Sequence, residues 1–381
     1  MSDQATGEPI EALGVGVPDE RAFVASQWQL IWWRFRKHRL AMGAGVVLAF
    51  LYMLAVFCEF LSPYNPTEIH SKYTNVPPMG IHFTHRDADG LHFGLHTYGL
   101  NASRGASYVR VYETDTESIV PVGFFIRGEE YKFWGLWKTN RHLFGAKSLE
   151  QVFFFFGTDE LGRDLFSRIL YGSRISLSIG LVGVLLSFSF GIVLGGISGY
   201  YGGTADLIIQ RLIEILNSIP TLPLWMGLSA ALPAHWPIIW VYFGMVSILS
   251  LLGWTGTARV VRGKFLALRE EEFVLAALFS GASPARIMFR HMLPSFASHL
   301  IASLTLAIPG MILGETALSF LGIGLRAPAI SWGVLLQGAQ NVSTLVLRPW
   351  LLLPVAFVVV TVLMFNFFGD GLRDAADPYG K

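Results

Sequence analysis

Six apolar runs of about 20 residues or more constrain this chain more than any other feature. They fall at 40–61, 175–199, 207–231, 236–256, 296–320 and 349–368. Each is long enough to cross a hydrocarbon core about 30 Å thick at about 1.5 Å per residue. Backbone amides in lipid must pair within their own segment, so such runs fold as helices. Only 14% of the residues are charged and 52% are hydrophobic, whereas a soluble domain carries roughly 25% charged residues. The fold class expected is an all-α polytopic membrane protein with six transmembrane helices.

The basic residues around these runs set an orientation. Arg34, Arg36, Lys37 and Arg39 precede the first run and place the N-terminus in the cytosol. Six crossings return the C-terminus to the same side. Arg259, Arg262, Lys264, Arg269, Arg286 and Arg290 lie between the fourth and fifth runs, which this count makes cytosolic. Arg163, Arg168 and Arg174 fall on the other side, but they follow a long translocated segment, where the rule is weak. The domains expected are a cytosolic tail and interfacial helix at 1–39, a first transmembrane helix at 40–61, a periplasmic insert at 62–157, and a core at 158–378. The core holds five helices and a cytosolic loop at 257–294. Residues 1–25 lack apolar periodicity and read as a tail. Trp28, Ile31, Trp32 and Phe35 recur at helical spacing and read as a helix lying on the membrane.

Several classes are disfavoured. A net charge of +1 gives no bulk attraction to nucleic acid. Cys58 is the single cysteine, so it forms neither an internal disulfide nor a cysteine metal cluster. The polar first 39 residues and the lack of a cleavage site predict no cleaved secretory signal. No GxxxxGK[ST] loop occurs, so any ATP driving transport binds another polypeptide.

About 110 residues separate the first two runs. In 62–157, short aromatic and β-branched stretches (SYVRVYE, IVPVGFFIRG, EEYKFWGLW) alternate with Gly, Asp and Asn, which predicts a small, mostly β domain. His82, His85, His92 and His96 raise a metal reading. Their spacings do not fit a rigid ligand set and no Cys or carboxylate pair joins them, so no metal site is expected.

Between runs four and five lies an amphipathic segment, Arg269 to Pro294. Glu272 through Gly281 is expected to form a short helix. Ala277 and Gly281 are four apart and share a face beside Ala276. Such small residues admit a close-packed partner; the alternative is a solvated connector. In Gly157 to Leu177, Thr158 or Asp159 can cap a helix. Asp159–Arg163 and Asp164–Arg168 stand at i,i+4, opposite a stripe of Leu161, Leu165, Phe166 and Ile169. That pattern predicts an amphipathic helix anchored at the outer interface. Gly191, Gly195 and Gly199, with Gly196 adjacent, allow close helix packing. Pro220 and Pro223 predict a kink in the third span. Among ionisable residues, Glu59, Arg211 and Glu214 fall near span ends. Glu315 is deep in the fifth span, where it serves either a water path or a hydrogen bond to a neighbouring helix. Gly322, Gly324 and Pro328 predict a non-helical stretch before Trp332, and Trp332 suits an interfacial anchor.

These motifs resemble one family. Two alanines, three residues, a glycine and then about a dozen residues to Leu293-Pro294 resemble the coupling loop of ABC-importer permeases. GTDxxGRDxxSRxxxGxRxSL from Gly157 resembles their dipeptide and oligopeptide branch. So do RLIEILNSIP (211–220), LSFLGIGLRAPAISWGVLL (318–336) and FNFFGDGLRDAADP (365–378). The resemblance covers 28–62 and 157–378. The long insert looks like the subclass that imports microcin C and related oligopeptides. Leu275 stands where the family often has an acid, with Glu270, Glu271 and Glu272 just upstream.

The resemblance implies the six-helix type I importer permease fold in the bacterial inner membrane. The chain itself would do no bond-making chemistry and hold no cofactor, with ATP and Mg²⁺ bound by a partner. The partners implied are ABC ATPase subunits, a second homologous permease, a periplasmic peptide-binding protein and membrane lipid. Glu272, Ala276, Ala277, Gly281, Arg290, Leu293 and Pro294 would couple to the ATPase. Asp159, Gly162, Arg163, Asp164, Glu315, Ser319 and Trp332 would form the periplasmic interface or pathway. The substrate would be an oligopeptide or a peptide-like compound of microcin C or murein type. One alternative is an ion- or proton-coupled secondary transporter, although no internal repeat is visible and buried acids are few. Another is a membrane enzyme, with His291 and His299 as its best material, but neither has an evident partner.

Overall fold

A computed structural model describes residues 27–87, 90–104, 110–148, 150–233 and 235–377. The expected tail at 1–25 and Pro378 of the last motif lie outside the described residues. Helix α1 (Gln27–Lys37) is followed by the first span, α2 (Arg39–Val56). After the insert come α3 (Leu165–Tyr201), α4 (Gly203–Ser218), α5 (Thr221–Ala230) and α6 (Ile238–Leu268). Then follow α7 (Glu272–Phe279), α8 (Ala297–Phe320), the short α9 (Trp332–Gln337) and α10 (Leu353–Ala376).

Among the described residues five helices are long and apolar enough to cross a membrane, and six if α4 with α5, bent by 86°, is one span. The expected kink falls at Pro220. Proline lacks an N–H and pushes the residue before it out of the α region; Ile219 accordingly sits at φ −93°, ψ 129°. Pro223 lies in the first turn of α5, where a missing N–H costs nothing, and makes no second bend.

Two spans exceed their apolar runs. The amphipathic helix expected before span two is not separate: α3 runs unbroken for 37 residues from Leu165. Likewise α6 continues to Leu268, twelve residues past the run at 236–256.

The glycines of α3 pack as their spacing predicts, and the partner is α6. A Cβ on Gly195 would stand 2.5 Å from the Ala258 carbonyl oxygen and 2.8 Å from its Cα. Gly191 faces Thr257 in the same way, and Gly199 faces Arg262 and Phe265. Ser250 Oγ also donates to the Gly183 carbonyl across this seam (2.9 Å). The bundle core is built on Leu177, Ile179, Met245, Leu249, Ile312 and Trp332, with Val358 and Phe365 of α10 closing one side.

The insert is a four-stranded antiparallel meander, β1 (His82–Asp87), β2 (Gly90–Arg104), β3 (Arg110–Phe133) and β4 (Trp137–Ala146), in the order β1-β2-β3-β4. Val76, Met79, Val122, Phe153 and Phe154 are buried beneath it. A register shift between His82 and Thr84 gathers the rings of His82, His85 and His96, with centroids 5.9 and 5.7 Å from His96. Strand spacing alone did not foretell this. Among the described residues no three His, Cys or carboxylate groups stand so as to hold a metal ion.

One ionisable residue at a span end is buried within the protein. Glu59 lies just past the end of α2, as expected, and is 5% exposed. Both its oxygens accept from Arg174 of α3 at 2.7 Å. The same guanidinium donates to the carbonyls of Ala55 and Val56 at the end of α2, both at 3.2 Å. A cation there satisfies orphan carbonyls and complements the helix dipole. Arg211 and Glu214 pair at 2.7 Å on the exposed face of α4.

Candidate functional site

The segment Arg269 to Pro294 is built around one short helix. Val274 is 3% exposed and plugs α7 into an inner cluster of Val261, Phe265, Ile287, Met292 and Phe296. Ala277 turns inward against that cluster, whereas Glu272 and Ala276 face out. Gly281 does not share a face with Ala277, because it lies beyond the helix end. Its φ of +76° and two hydrogen bonds, Gly281 N–H to the Leu278 carbonyl (3.0 Å) and Ala282 N–H to the Ala277 carbonyl (3.1 Å), form a Schellman motif. The Ala-Ala-x-x-x-Gly spacing is therefore a helix stop: Ala277 supplies the carbonyl and small contact, and Gly281 the left-handed residue.

Leu293 and Pro294 have an equally local cause. Proline in a regular helix clashes with the carbonyl four residues back, here that of Arg290. The chain widens ahead of it into a π-helical stretch, Ile287–Met292, in which the Leu293 N–H reaches back to the Met288 carbonyl. Leu293 is half-buried in the inner cluster, while Arg290 and Pro294 are exposed.

What this scaffold presents is apolar. Phe279 is 85% exposed and Leu278 50%. Phe279 lies on the face carrying Glu272 and Ala276, at i, i+4 and i+7. The motif reading missed it, but a helical wheel finds it: five residues from Val274, it is about 140° away from the buried side. Beside this segment, Asp206 of α4 receives both Nε and Nη2 of Arg262 of α6 (2.5 and 2.6 Å) and the hydroxyl of Ser198 of α3 (2.5 Å). Three helices are thus tied together at this end of the bundle.

At the other end, the first eight residues of the motif from Gly157 form a turn, and the helix begins only at Leu165. Asp159 Oδ1 accepts the N–H groups of Leu161 (2.9 Å) and Arg163 (3.0 Å), and Oδ2 accepts from Arg163 Nε at 2.7 Å. The expected Asp159–Arg163 pair exists, then, inside a turn. The Asp164–Arg168 pair does not: Arg168 Nε lies 3.7 Å from Asp159 instead. Neither Thr158 nor Asp159 caps a helix. Asp164 does, accepting the Ser167 N–H at 2.8 Å as the N-cap of α3. Thr158 is buried and bonds Tyr73 and Val76, while Gly162, at φ +79°, lies too close to the His70 carbonyl for any side chain. Leu161 is exposed in this turn and joins no apolar stripe. The motif clamps the insert onto the start of α3. Asp164 is fully buried, and burial pushes its carboxyl up to about 6.

Glu315 sits in the middle of a second clamp. It is fully buried and accepts three serine hydroxyls: Ser176 of α3 (3.3 Å), Ser319 (2.8 Å) and Ser331 (2.6 Å). Each serine oxygen in turn accepts a backbone N–H. Trp332 donates to Ser176 (3.1 Å), Leu325 to Ser319 (3.0 Å) and Val334 to Ser331 (3.2 Å). One carboxylate thereby holds the non-helical stretch 321–331 and the start of α9 against α3. Of the two readings open for Glu315, the hydrogen bond to a neighbouring helix is the one seen. Trp332 is not an interfacial anchor: it is fully buried, and its Nε1 donates to the Ile169 carbonyl at 3.1 Å. Ser176 and Ser331 were not singled out from sequence, since nothing local links residues 139 and 16 positions away from Glu315.

The chain is similar to known proteins over most of its length. Residues 191–379 match the family described as binding-protein-dependent transport system inner membrane component. Residues 26–78 match the N-terminal transmembrane domain of oligopeptide transport permease C. The dipeptide transport system permease protein DppC of Bacillus subtilis (strain 168) is 32% identical over 93% of this chain and 86% of its own length. The oligopeptide transport system permease protein OppC of Escherichia coli (strain K12) is 44% identical over 59% of this chain and 72% of its own. A chain of the inward-facing MetNI methionine ABC transporter is similar at 18% identity and a TM-score of 0.42, over 55% of this chain and 96% of that one.

Proposed function

The chain belongs to the dipeptide and oligopeptide branch of the binding-protein-dependent ABC-importer permeases, and from that premise we propose that it forms one half of the membrane path of an oligopeptide importer. A second, homologous permease completes the path. ATPase subunits, which bind the ATP and Mg²⁺, grip α7 from the cytosol, and a periplasmic binding protein delivers peptide to the opposite end. The basic residues flanking α7 and those before α2 support a cytosolic location for both termini.

One observation carries this reading. Phe279 stands exposed, with Leu278 half-exposed beside it, on a helix whose opposite side is locked by Val274 and whose end is fixed by Gly281. A rigid small helix with an uncovered aromatic is what a partner can push on. Glu272, Ala276 and Arg290 surround that contact; Ala277, Gly281, Leu293 and Pro294 hold its shape. At the outer end, Glu315, Ser319 and Trp332 set the stretch beside the path, while Asp159, Gly162, Arg163 and Asp164 set the insert. The long insert supports a substrate of the microcin C or murein-peptide type. Assembly is tested by purifying the chain from gently solubilised native membranes. Co-purification of an ATPase, a second six-span permease and a peptide-binding protein is expected. Recovery of this chain alone, with uptake that needs an ion gradient and no ATP, would return the secondary-transporter reading.

A further inference from the structure

The tip of the β3–β4 hairpin stands at an unusual place for a sheet. Trp134 Nε1 donates to the carbonyl of Val56, the last residue of the first span, at 3.0 Å. The Arg174 guanidinium that caps the same helix end lies 4.5 Å from the centre of the Trp134 ring. The ring of Phe133 stacks with that of Phe57 at 6.1 Å. These contacts fix the tip at the level where α2 leaves the membrane.

Its side chains are nevertheless uncovered. Leu136 is 72% exposed, Trp137 66% and Trp134 51%. In water this is a poor use of three large apolar groups, since burial is worth about 25 cal/mol per Å². At a bilayer boundary it is the usual place for tryptophan, whose ring is apolar and whose N–H is polar. Between the hairpin and α2 runs an open apolar groove of about 620 Å³, lined by Phe50, Met53, Phe57 and Phe133, with Tyr131 and Arg141 at its edge. Phe50 and Met53 are each 58% exposed on a helix that crosses the membrane, so the groove continues the lipid-facing surface of the span.

Charge agrees with this placement. Directly behind the Phe133–Trp137 pair, Lys132 stands across the strands from Lys138, and farther along Arg127 faces Arg141. Like charges placed opposite each other destabilise a sheet; an anionic layer beside them removes the penalty. The geometry points to a lipid site: the tip 133–137 is seated in the outer leaflet, the groove takes a phospholipid acyl chain, and Arg141 at the groove's edge meets its phosphate. This rests on the reading above in that the insert lies at the outer end of a membrane-spanning bundle.

The test uses Cys58, the single cysteine, which is fully buried. In a Cys58→Ser background, Leu136→Cys, Phe50→Cys and Asn101→Cys each receive a nitroxide label. The importer is reconstituted with its co-purifying partners in phosphatidylethanolamine–phosphatidylglycerol nanodiscs, and collision with oxygen is compared with collision with a water-soluble nickel chelate. The label at 136 is expected to behave like that at 50, with an oxygen-to-nickel ratio severalfold above that at 101, which lies on the exposed part of the same sheet. Nickel access at 136 equal to that at 101 overturns the proposal, as the tip is then in water. Loss of access to both reagents, with an immobilised label, overturns it in favour of a protein cover. Labelling of the 101 cysteine in whole cells by a membrane-impermeant thiol reagent tests the orientation separately, so failure of that reading is told apart from failure of this one.

Discussion

Replacing Glu315 tests whether its three serines form a scaffold or a route for substrate. In Glu315→Ala the hydroxyls of Ser176, Ser319 and Ser331, all buried, lose their acceptor together. An unsatisfied buried donor costs about 1–3 kcal/mol. Ser176 and Ser319 sit on helices and can turn to the carbonyl four residues back. Ser331 precedes a helix and has no such refuge. With the space left by the lost side chain, the total comes to about 3–5 kcal/mol. Glu315→Gln keeps the oxygen that serves Ser319 and Ser331 and disturbs only the longer bond to Ser176, so its cost is about 1 kcal/mol. Cys58 is buried and has no rival, so a thiol-reactive fluorogenic dye reports unfolding directly. The alanine variant is expected to expose Cys58 at a melting temperature about 5 °C or more below wild type, with glutamine close to wild type. Equal melting of all three proteins would refute the scaffold argument. If the alanine variant also failed to transport at wild-type stability, Glu315 would belong on the translocation route.

Asp164→Asn should alter the pH dependence of stability. The carboxyl is pushed up to about 6 by burial, so the folded state favours the protonated form. That stability is present below the ordinary carboxylate range and is lost as pH rises through about 6. It amounts to roughly 3 kcal/mol at 1.36 kcal/mol per unit. Asparagine caps equally well, so melting measured between pH 4 and 7 should fall with pH in wild type and stay level in the variant. Gly281→Ala should lower stability by about 1 kcal/mol through its left-handed φ, and Gly281→Asn by less; Gly281→Arg, with nothing within 4 Å, should insert normally and lose ATP-driven uptake. Phe279→Asp should leave melting unchanged and abolish co-purification of the ATPase; undiminished recovery removes Phe279 from the contact. Gly195→Leu should cost about 1–3 kcal/mol by overpacking, because Ala258 backbone, not a movable side chain, occupies the space.

The helical bundle was legible because a bilayer demands one thing of sequence: runs of about 20 apolar residues. Helix ends were less so. The run at 236–256 stops where polar residues begin, yet α6 continues to Leu268, since Val261 and Phe265 still have an inward face to fill. The pattern from Gly157 looked helical from its i,i+4 charges, but Asp159 bonds its own backbone two and four residues on, and that closes a turn first. Gly281 was noticed for its size when its φ is what matters. The Glu315 clamp was out of reach, because its partners come from an earlier helix and from beyond the following loop, and serine carries no periodic signal.

The α3–α6 seam limits how this protein can move. Backbone lies on backbone at Gly195 and Gly199, and Gly191 meets Thr257, so the two helices cannot slide or rotate past one another without a clash. They form one beam. Its inner end carries α7 on the continuation of α6. Its other end carries the insert through Ser167, which accepts the Tyr64 N–H, and the 321–331 stretch through Ser176, which bonds Glu315 and Trp332. In the proposed importer a push on α7 would therefore reach the opposite end as a tilt of the whole beam, with no chain of side-chain adjustments between. The compliant part is left to α4 and α5, where the chain is broken at Pro220 and bent by 86°.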